Sequence, residues 1–129
     1  MLFLSFENRK RRRAYGGSAF VEIQFCRLPS GTPIEKIVAV DSIKHFADDS
    51  LYVDDENEFC RTYGDILDCG IYNNLQSGRV DPYGINYYTP EAVVLIVKRL
   101  EAKKPEGYEV FLEWLEKAKV CNGFYILGI

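Results

Sequence analysis

The chain has 129 residues, of which 47% are hydrophobic and 27% charged, a balance that fits one globular domain and excludes a wholly disordered chain. Its formal net charge is −3, and no apolar run approaches the roughly 18 residues of a membrane span. We therefore expect one domain covering residues 1–129, with no membrane partner.

The first apolar run, residues 2–6, precedes the basic run of residues 9–13. Secretory signals have the opposite order, with basic residues first and a longer apolar stretch after them. We therefore expect a cytoplasmic protein. Residues 2–6 are predicted to be a strand, and Tyr15-Gly16-Gly17 is a plausible hairpin connection to a second strand at residues 20–25. Residues 37–40 form a third strand candidate, and three sequential strands would make a meander.

The middle of the chain has helical periodicity. A helix is predicted from Asp55 to a stop at Gly70, because its apolar residues share one face. Residues 71–88 are interpreted as irregular, with a short strand at residues 85–88. The apolar positions of the predicted helix are Phe59, Tyr63, Ile66 and Leu67.

The last third has stronger signals. Thr89-Pro90-Glu91 predicts a helix start with a hydroxyl N-cap and proline at the first helical position, and the apolar residues that follow predict a deeply buried helix. Another helix is expected from Pro105 to Asn122-Gly123, followed by an internal strand at residues 124–127. The predicted fold is α+β, a mostly antiparallel sheet of N-terminal strands plus a C-terminal strand, packed by about three helices.

Six carboxylates fall within residues 48–58 without a basic residue among them. The alternating ligands and central glycine of a calcium loop are absent. One interpretation of the stretch is a solvated loop leading into a helix whose N-terminus favours acidic residues. Another is a docking patch for a basic partner. The two interpretations are compatible. The candidate partner-binding carboxylates are Asp48, Asp49, Asp54, Asp55, Glu56 and Glu58.

The basic run of residues 9–13 raises the alternative of a regulatory nucleic-acid-binding protein. Residues 14–129, however, hold eleven basic and eighteen acidic side chains. Their net charge is therefore negative and would repel a phosphate backbone. Three interpretations of the basic run stay open: a solvated hairpin tip, a phosphate contact, or a contact with acidic side chains. Nucleic acid is the less favoured partner.

Residues 71–88 are rich in tyrosine and asparagine, a composition that suits interfaces. Tyr72 and Tyr83 are the candidate partner-binding tyrosines from this segment. The alternative is that these tyrosines bury their rings and satisfy their hydroxyls locally, and the sequence does not separate the two.

The chemistry of an enzyme has little support. The four cysteines form no C-x-x-C pair, which disfavours a zinc site, and they are expected to be reduced, mostly buried thiols. Nothing next to the four cysteines in the sequence marks any of them as an activated nucleophile, and the single histidine, His45, has an ordinary sequence context. The glycines lack the spacing of a phosphate-binding loop. Carboxylate acid–base chemistry is not excluded by sequence. We expect no enzyme activity, metal or cofactor.

Residues 81–91, DPYGINYYTPE, and 122–129, NGFYILGI, resemble segments of small bacterial immunity proteins. These are the partners of polymorphic or contact-dependent growth-inhibition toxins. The resemblance transfers no functional residues, but it implies a protein that binds and blocks a toxin made by the neighbouring gene. Many such toxins are nucleases with basic surfaces, which an acidic protein would complement. The expected function is toxin neutralisation by occlusion.

Overall fold

Seven strands form one antiparallel sheet in the computed structural model, which describes residues 2–6 and 21–128. The order across the sheet is β1-β3-β2-β7-β6-β4-β5, and every neighbouring pair is antiparallel. The predicted α+β class is confirmed. The strands are β1 (Phe3–Ser5), β2 (Val21–Phe25), β3 (Leu51–Val53), β4 (Gly70–Tyr72), β5 (Ser77–Gly78), β6 (Ile85–Tyr88) and β7 (Phe124–Leu127).

The two sides of the sheet are covered by different kinds of structure. Three longer helices, α2 (Glu56–Tyr63), α3 (Pro90–Lys103) and α4 (Tyr108–Ala118), contribute to one large apolar cluster with side chains from one side of the sheet, here called the helical face. The other side, the loop face, is covered by residues 26–50, which include the short helix α1 (Ile34–Ile37) and a 3-10 turn at Val40–Ser42. No helix in the described ranges is long and apolar enough to cross a membrane.

The expected meander of the first strands is wrong. Val53 of β3 pairs with Phe3 on one side and with Val21 on the other, so β3 lies between β1 and β2. A hairpin that pairs β1 with β2 is therefore excluded, and the turn predicted at residues 15–17 lies outside the described residues. The final strand was predicted inside the sheet, and β7 indeed lies between β2 and β6.

Residues 37–40 do not form the predicted strand. Ile37 ends α1, and Ile37 and Val38 are buried in the cluster of the loop face. Val40 begins the 3-10 turn and is 68% exposed. Ile37 and Val38 therefore serve as packing contacts outside the sheet, and the third strand along the chain is Leu51–Val53, within the acidic stretch.

Several boundaries also differ from prediction. Helix α2 ends at Tyr63, and Gly70 begins β4 instead of stopping a helix; β4 and β5 occupy part of the segment predicted as irregular. Helix α4 begins at Tyr108, after the left-handed Gly107, and ends before Asn122-Gly123.

Helix α3 begins as predicted, with the Thr89 hydroxyl accepting a hydrogen bond from the Ala92 amide at 3.1 Å. The prediction of a deeply buried helix is wrong on one side, however. Val94 is 56% exposed and Leu95 40% exposed, since only one side of α3 faces the sheet.

Candidate partner-binding surface

The acidic stretch is divided by strand β3. Asp48 and Asp49 precede the strand, whereas Asp54 and Asp55 follow it. A strand advances about 3.3 Å per residue, so the five steps from Asp49 to Asp54 correspond to roughly 16 Å along an extended chain. The six carboxylates therefore form two clusters at opposite ends of β3.

Asp49 makes two contacts with other parts of the fold. Its carboxylate pairs with Arg27, and its backbone carbonyl accepts a hydrogen bond from the Trp114 indole at 2.8 Å. The hydrogen bond to Asp49 raises the pKa of Arg27. Arg27 also lies 5.6 Å from the centre of the Phe25 ring, which stacks on Trp114 at 3.9 Å. Asp49 thus links the end of β2 to α4, while Asp48 is exposed.

Asp55 and Glu58 also have local roles. Asp55 is the N-cap of α2 and accepts a hydrogen bond from the Glu58 amide at 3.0 Å. The Glu58 carboxylate pairs with Arg61 and accepts a hydrogen bond from the Thr62 hydroxyl at 3.2 Å. The helix-start interpretation therefore accounts for Asp55, whereas the Glu58 carboxylate is bound by side chains of its own helix.

Three of the six candidates retain an unpaired carboxylate: within the described part of the chain, Asp48, Asp54 and Glu56 make no hydrogen bond through the side chain and no ion pair. Asp48 and Asp54 are exposed, and Glu56 is half-buried in the first turn of α2. These are the carboxylates that remain available to an external cation.

The tyrosines separate into surface and interior. Tyr87 and Tyr88 are buried, with hydroxyls that donate to the Asn122 carbonyl at 2.7 Å and the Leu67 carbonyl at 3.1 Å. The half-buried Tyr72 donates to the Arg79 carbonyl and closes the β4–β5 hairpin. Tyr83, by contrast, is 73% exposed. Of the two candidate tyrosines, only Tyr83 presents its ring to solvent.

The turn that carries Tyr83 is fixed by Asn86, which belongs to the segment whose amides suggested an interface but is fully buried. The Asn86 amide donates to the Asp81 and Ile126 carbonyls, both at 2.9 Å, and its oxygen accepts from the Asp81 amide at 2.8 Å. The Asp81 carboxylate accepts from the Tyr83 amide at 2.9 Å. An Asp-Pro at a turn followed by Asn on a strand was the available signal.

A second unforeseen element is the buried carboxylate of Glu22, on the loop face. It accepts hydrogen bonds from the Phe46 amide at 2.9 Å, the Ala47 amide at 3.1 Å and the Ser50 hydroxyl at 2.7 Å. The Gln24 amide donates to it at 3.0 Å. Glu22 thereby holds the segment that leads to Asp48 and Asp49. Two polar residues on the same face of an otherwise apolar strand were the signal for this anchor.

His45 lies beside a buried carboxylate, and burial affects the thiols of the cysteines. The His45 Nδ1 atom lies 3.4 Å from the Glu22 carboxylate. All four cysteines are free thiols, and only Cys26 is fully buried. Burial raises the pKa of Cys60, Cys69 and Cys121, the opposite of the shift that activates a thiol. Among the described residues, no three His, Cys, Asp or Glu side chains form a group able to hold a metal ion.

The basic run of residues 9–13 lies outside the described residues, so the nucleic-acid alternative stays a prediction. No protein-family model, no curated protein and no solved structure matches this chain significantly.

Proposed function

We propose that this protein is an immunity protein that binds a basic protein toxin and neutralises it by occlusion. The observation that carries the proposal is the set of carboxylates at Asp48, Asp54 and Glu56 that the fold leaves unpaired. The eighteen acidic and eleven basic side chains of residues 14–129 reinforce their field. An acidic surface of this kind accelerates encounter with a basic partner.

The resemblance of residues 81–91 and 122–129 to small immunity proteins agrees with this function. Both segments lie within the sheet or beside it: the first contains β6 and the turn of Tyr83, and the second contains β7. Occlusion needs a surface of complementary charge and no catalytic group, so the proposal asks for no cofactor and no metal.

The test is co-expression with the product of the adjacent upstream open reading frame. We expect that the two proteins co-purify and that this chain restores growth to cells that produce the neighbouring protein. A pair that neither co-purifies nor restores growth would contradict the proposal. Retention of short duplex DNA by the chain alone, with a steep loss of affinity as salt rises, would instead support the nucleic-acid alternative.

Charge reversal tests the part played by the unpaired carboxylates. We expect that the double variant Asp48→Lys/Asp54→Lys associates with the neighbouring protein at least about tenfold more slowly at low salt. The matched control is Glu101→Lys/Glu116→Lys, which makes the same charge change on exposed positions of α3 and α4 and should stay within about threefold of the wild type. If both variants slowed association equally, the effect would come from net charge and not from these particular carboxylates.

A further inference from the structure

A groove on the loop face combines the most exposed tyrosine among the candidate residues with an exposed valine. Its volume is about 320 Å³. One wall comes from Tyr83 and Gly84, the other from the segment that starts at Val40, and Ile85 and Leu127 of β6 and β7 contribute the floor. Tyr83 is 73% and Val40 68% exposed, so both walls present apolar surface that no element within residues 2–6 and 21–128 covers.

The wall of Tyr83 is rigid. Asn86 is fully buried and uses its amide to hold both the N–H and the carbonyl of Asp81. The Gly128 amide donates to the Gly84 carbonyl at 2.8 Å, which attaches the turn to the end of β7. A Cβ atom at Gly84 would lie 2.7 Å from the Asp81 carboxylate. Because these hydrogen bonds fix the backbone of the turn, little backbone entropy is lost when Tyr83 binds a partner.

The opposite wall is also anchored. The Ser42 hydroxyl donates to the Lys36 carbonyl and closes the 3-10 turn of Val40 onto α1. Beyond the turn, Glu22 holds the backbone of Phe46 and Ala47. Ile43 and His45 line this groove, whereas Ser42 and Lys44 line a neighbouring one. The lysine of this segment is therefore directed away from the groove.

Carboxylates accompany both walls. Asp41 follows Val40 directly, and Asp81 holds the turn of Tyr83. Neither forms an ion pair within residues 2–6 and 21–128. Asp41 and Asp81 do not line the groove, but each lies beside one of its walls in the chain. An apolar groove with carboxylates beside it is complementary to an apolar side chain that is flanked by lysine or arginine. A second copy of this chain is disfavoured as the occupant, because its own Asp41 and Asp81 would approach those of the first.

We propose that this groove is the anchor site of the toxin interface, and that it receives an aliphatic or aromatic side chain of the partner flanked by basic residues. The inference rests on the proposed function and deepens it by naming the site and the chemistry of the bound segment. Tyr83 is then the energetic centre of binding, since tyrosine is enriched among interface hot spots, Val40 contributes apolar contact area, and Asp41 and Asp81 beside the walls accelerate encounter.

The first experiment uses a probe that does not depend on the neighbouring gene, a phage-displayed library of random dodecapeptides selected on the purified chain. We expect enriched peptides with an aliphatic or aromatic residue flanked by lysine or arginine, and at least tenfold weaker binding of these peptides to Tyr83→Ala and Val40→Arg. The matched control is Val120→Arg, which adds the same charge at a valine that is 89% exposed and should change affinity less than about threefold.

Absence of enriched peptides, enrichment of peptides without basic residues, or unchanged binding to Tyr83→Ala would each overturn the inference. The second experiment measures the affinity of the same variants for the neighbouring protein.

If the wild type binds that protein and Tyr83→Ala binds it equally well, the groove is excluded from the interface and the proposed function stands. If the wild type does not bind it, the proposed function fails, and the peptide selection still decides what the groove receives. Self-association of the wild type that Val40→Arg abolishes would identify a second copy as the occupant and overturn the assignment.

Discussion

The two faces of the sheet are built by different physical means. The helical face packs strand side chains against α2, α3 and α4 through a network of aromatic rings, such as Phe124 against Tyr88 at 4.7 Å. The loop face has a smaller apolar cluster and depends on polar anchors, chiefly Glu22, to hold long loops. Apolar burial is thus larger on the helical face, while buried polar side chains hold the backbone of the loop face.

The largest expected effect is alkaline unfolding, which should weaken both faces together. Burial raises the pKa of Tyr63 and Tyr88 on the helical face and of Tyr87 and Tyr125 on the loop face. Unfolded tyrosines lose their protons near pH 10. Their contribution to stability is therefore complete below about pH 10 and is lost as the pH rises toward the folded values, because only the unfolded state ionises in that interval.

Urea denaturation at a series of pH values checks this prediction. We expect the free energy of unfolding to fall steeply above about pH 10. Tyr63→Phe and Tyr87→Phe, one from each face, should each make the fall less steep, since each removes one titrating group. A free energy of unfolding that stays constant up to about pH 11 would contradict the burial of these hydroxyls.

On the helical face alone, truncating a central ring should have the next largest effect. Phe124 is fully buried, and its ring lies 5.6 Å from that of Trp114 and 6.0 Å from that of Phe111. We expect Phe124→Ala to lower the free energy of unfolding by about 3–5 kcal/mol, as measured by urea denaturation. A loss below about 1 kcal/mol would show that this face does not provide the main core.

On the loop face, we expect a smaller loss from removing the central polar anchor. Glu22→Gln keeps the shape of the side chain but replaces one accepting oxygen by an NH₂ group, which opposes the donors from Phe46, Ala47 and Ser50. The expected decrease in the free energy of unfolding is about 1–3 kcal/mol. Amide hydrogen exchange at Phe46 and Ala47 should accelerate as well.

The control for this variant is Glu113→Gln, which neutralises an exposed carboxylate of α4 and should change stability by less than about 0.5 kcal/mol. If Glu22→Gln were as stable as this control, the loop face would be held by its apolar contacts alone. The contrast between the two faces would then disappear.

Much of the fold follows from local signals in the sequence. Thr89-Pro90 begins α3 because a hydroxyl cap and a proline at the first helical position act within one turn. The strands at residues 85–88 and 124–127 have the predicted bounds, since their apolar runs end at turn residues. Among the candidate carboxylates, the cap formed by Asp55 was also predictable, because it needs only the adjacent helix.

Other features depend on contacts distant in sequence. Leu51–Val53 is a strand in the acidic stretch with partners on both sides, β1 and β2, while residues 37–40 have no strand partner within residues 2–6 and 21–128 and run from the end of α1 into the 3-10 turn. Asp49 pairs with Arg27, which is 22 residues away, and this contact could not be read from the acidic stretch itself. Tyr72 and Tyr83 belong to the same tyrosine-rich segment, yet only the second is exposed.

The sequence by itself determined the α+β class, the start of α3, the central position of β7 and the acidic character of the chain, because composition and neighbouring residues suffice for each of these. Only the tertiary structure decided that the acidic stretch is divided by a strand, which carboxylates remain unpaired, and that Tyr83 and Val40 meet at one groove. The reason is that pairing and burial depend on residues far apart in the chain, whose proximity no local pattern records.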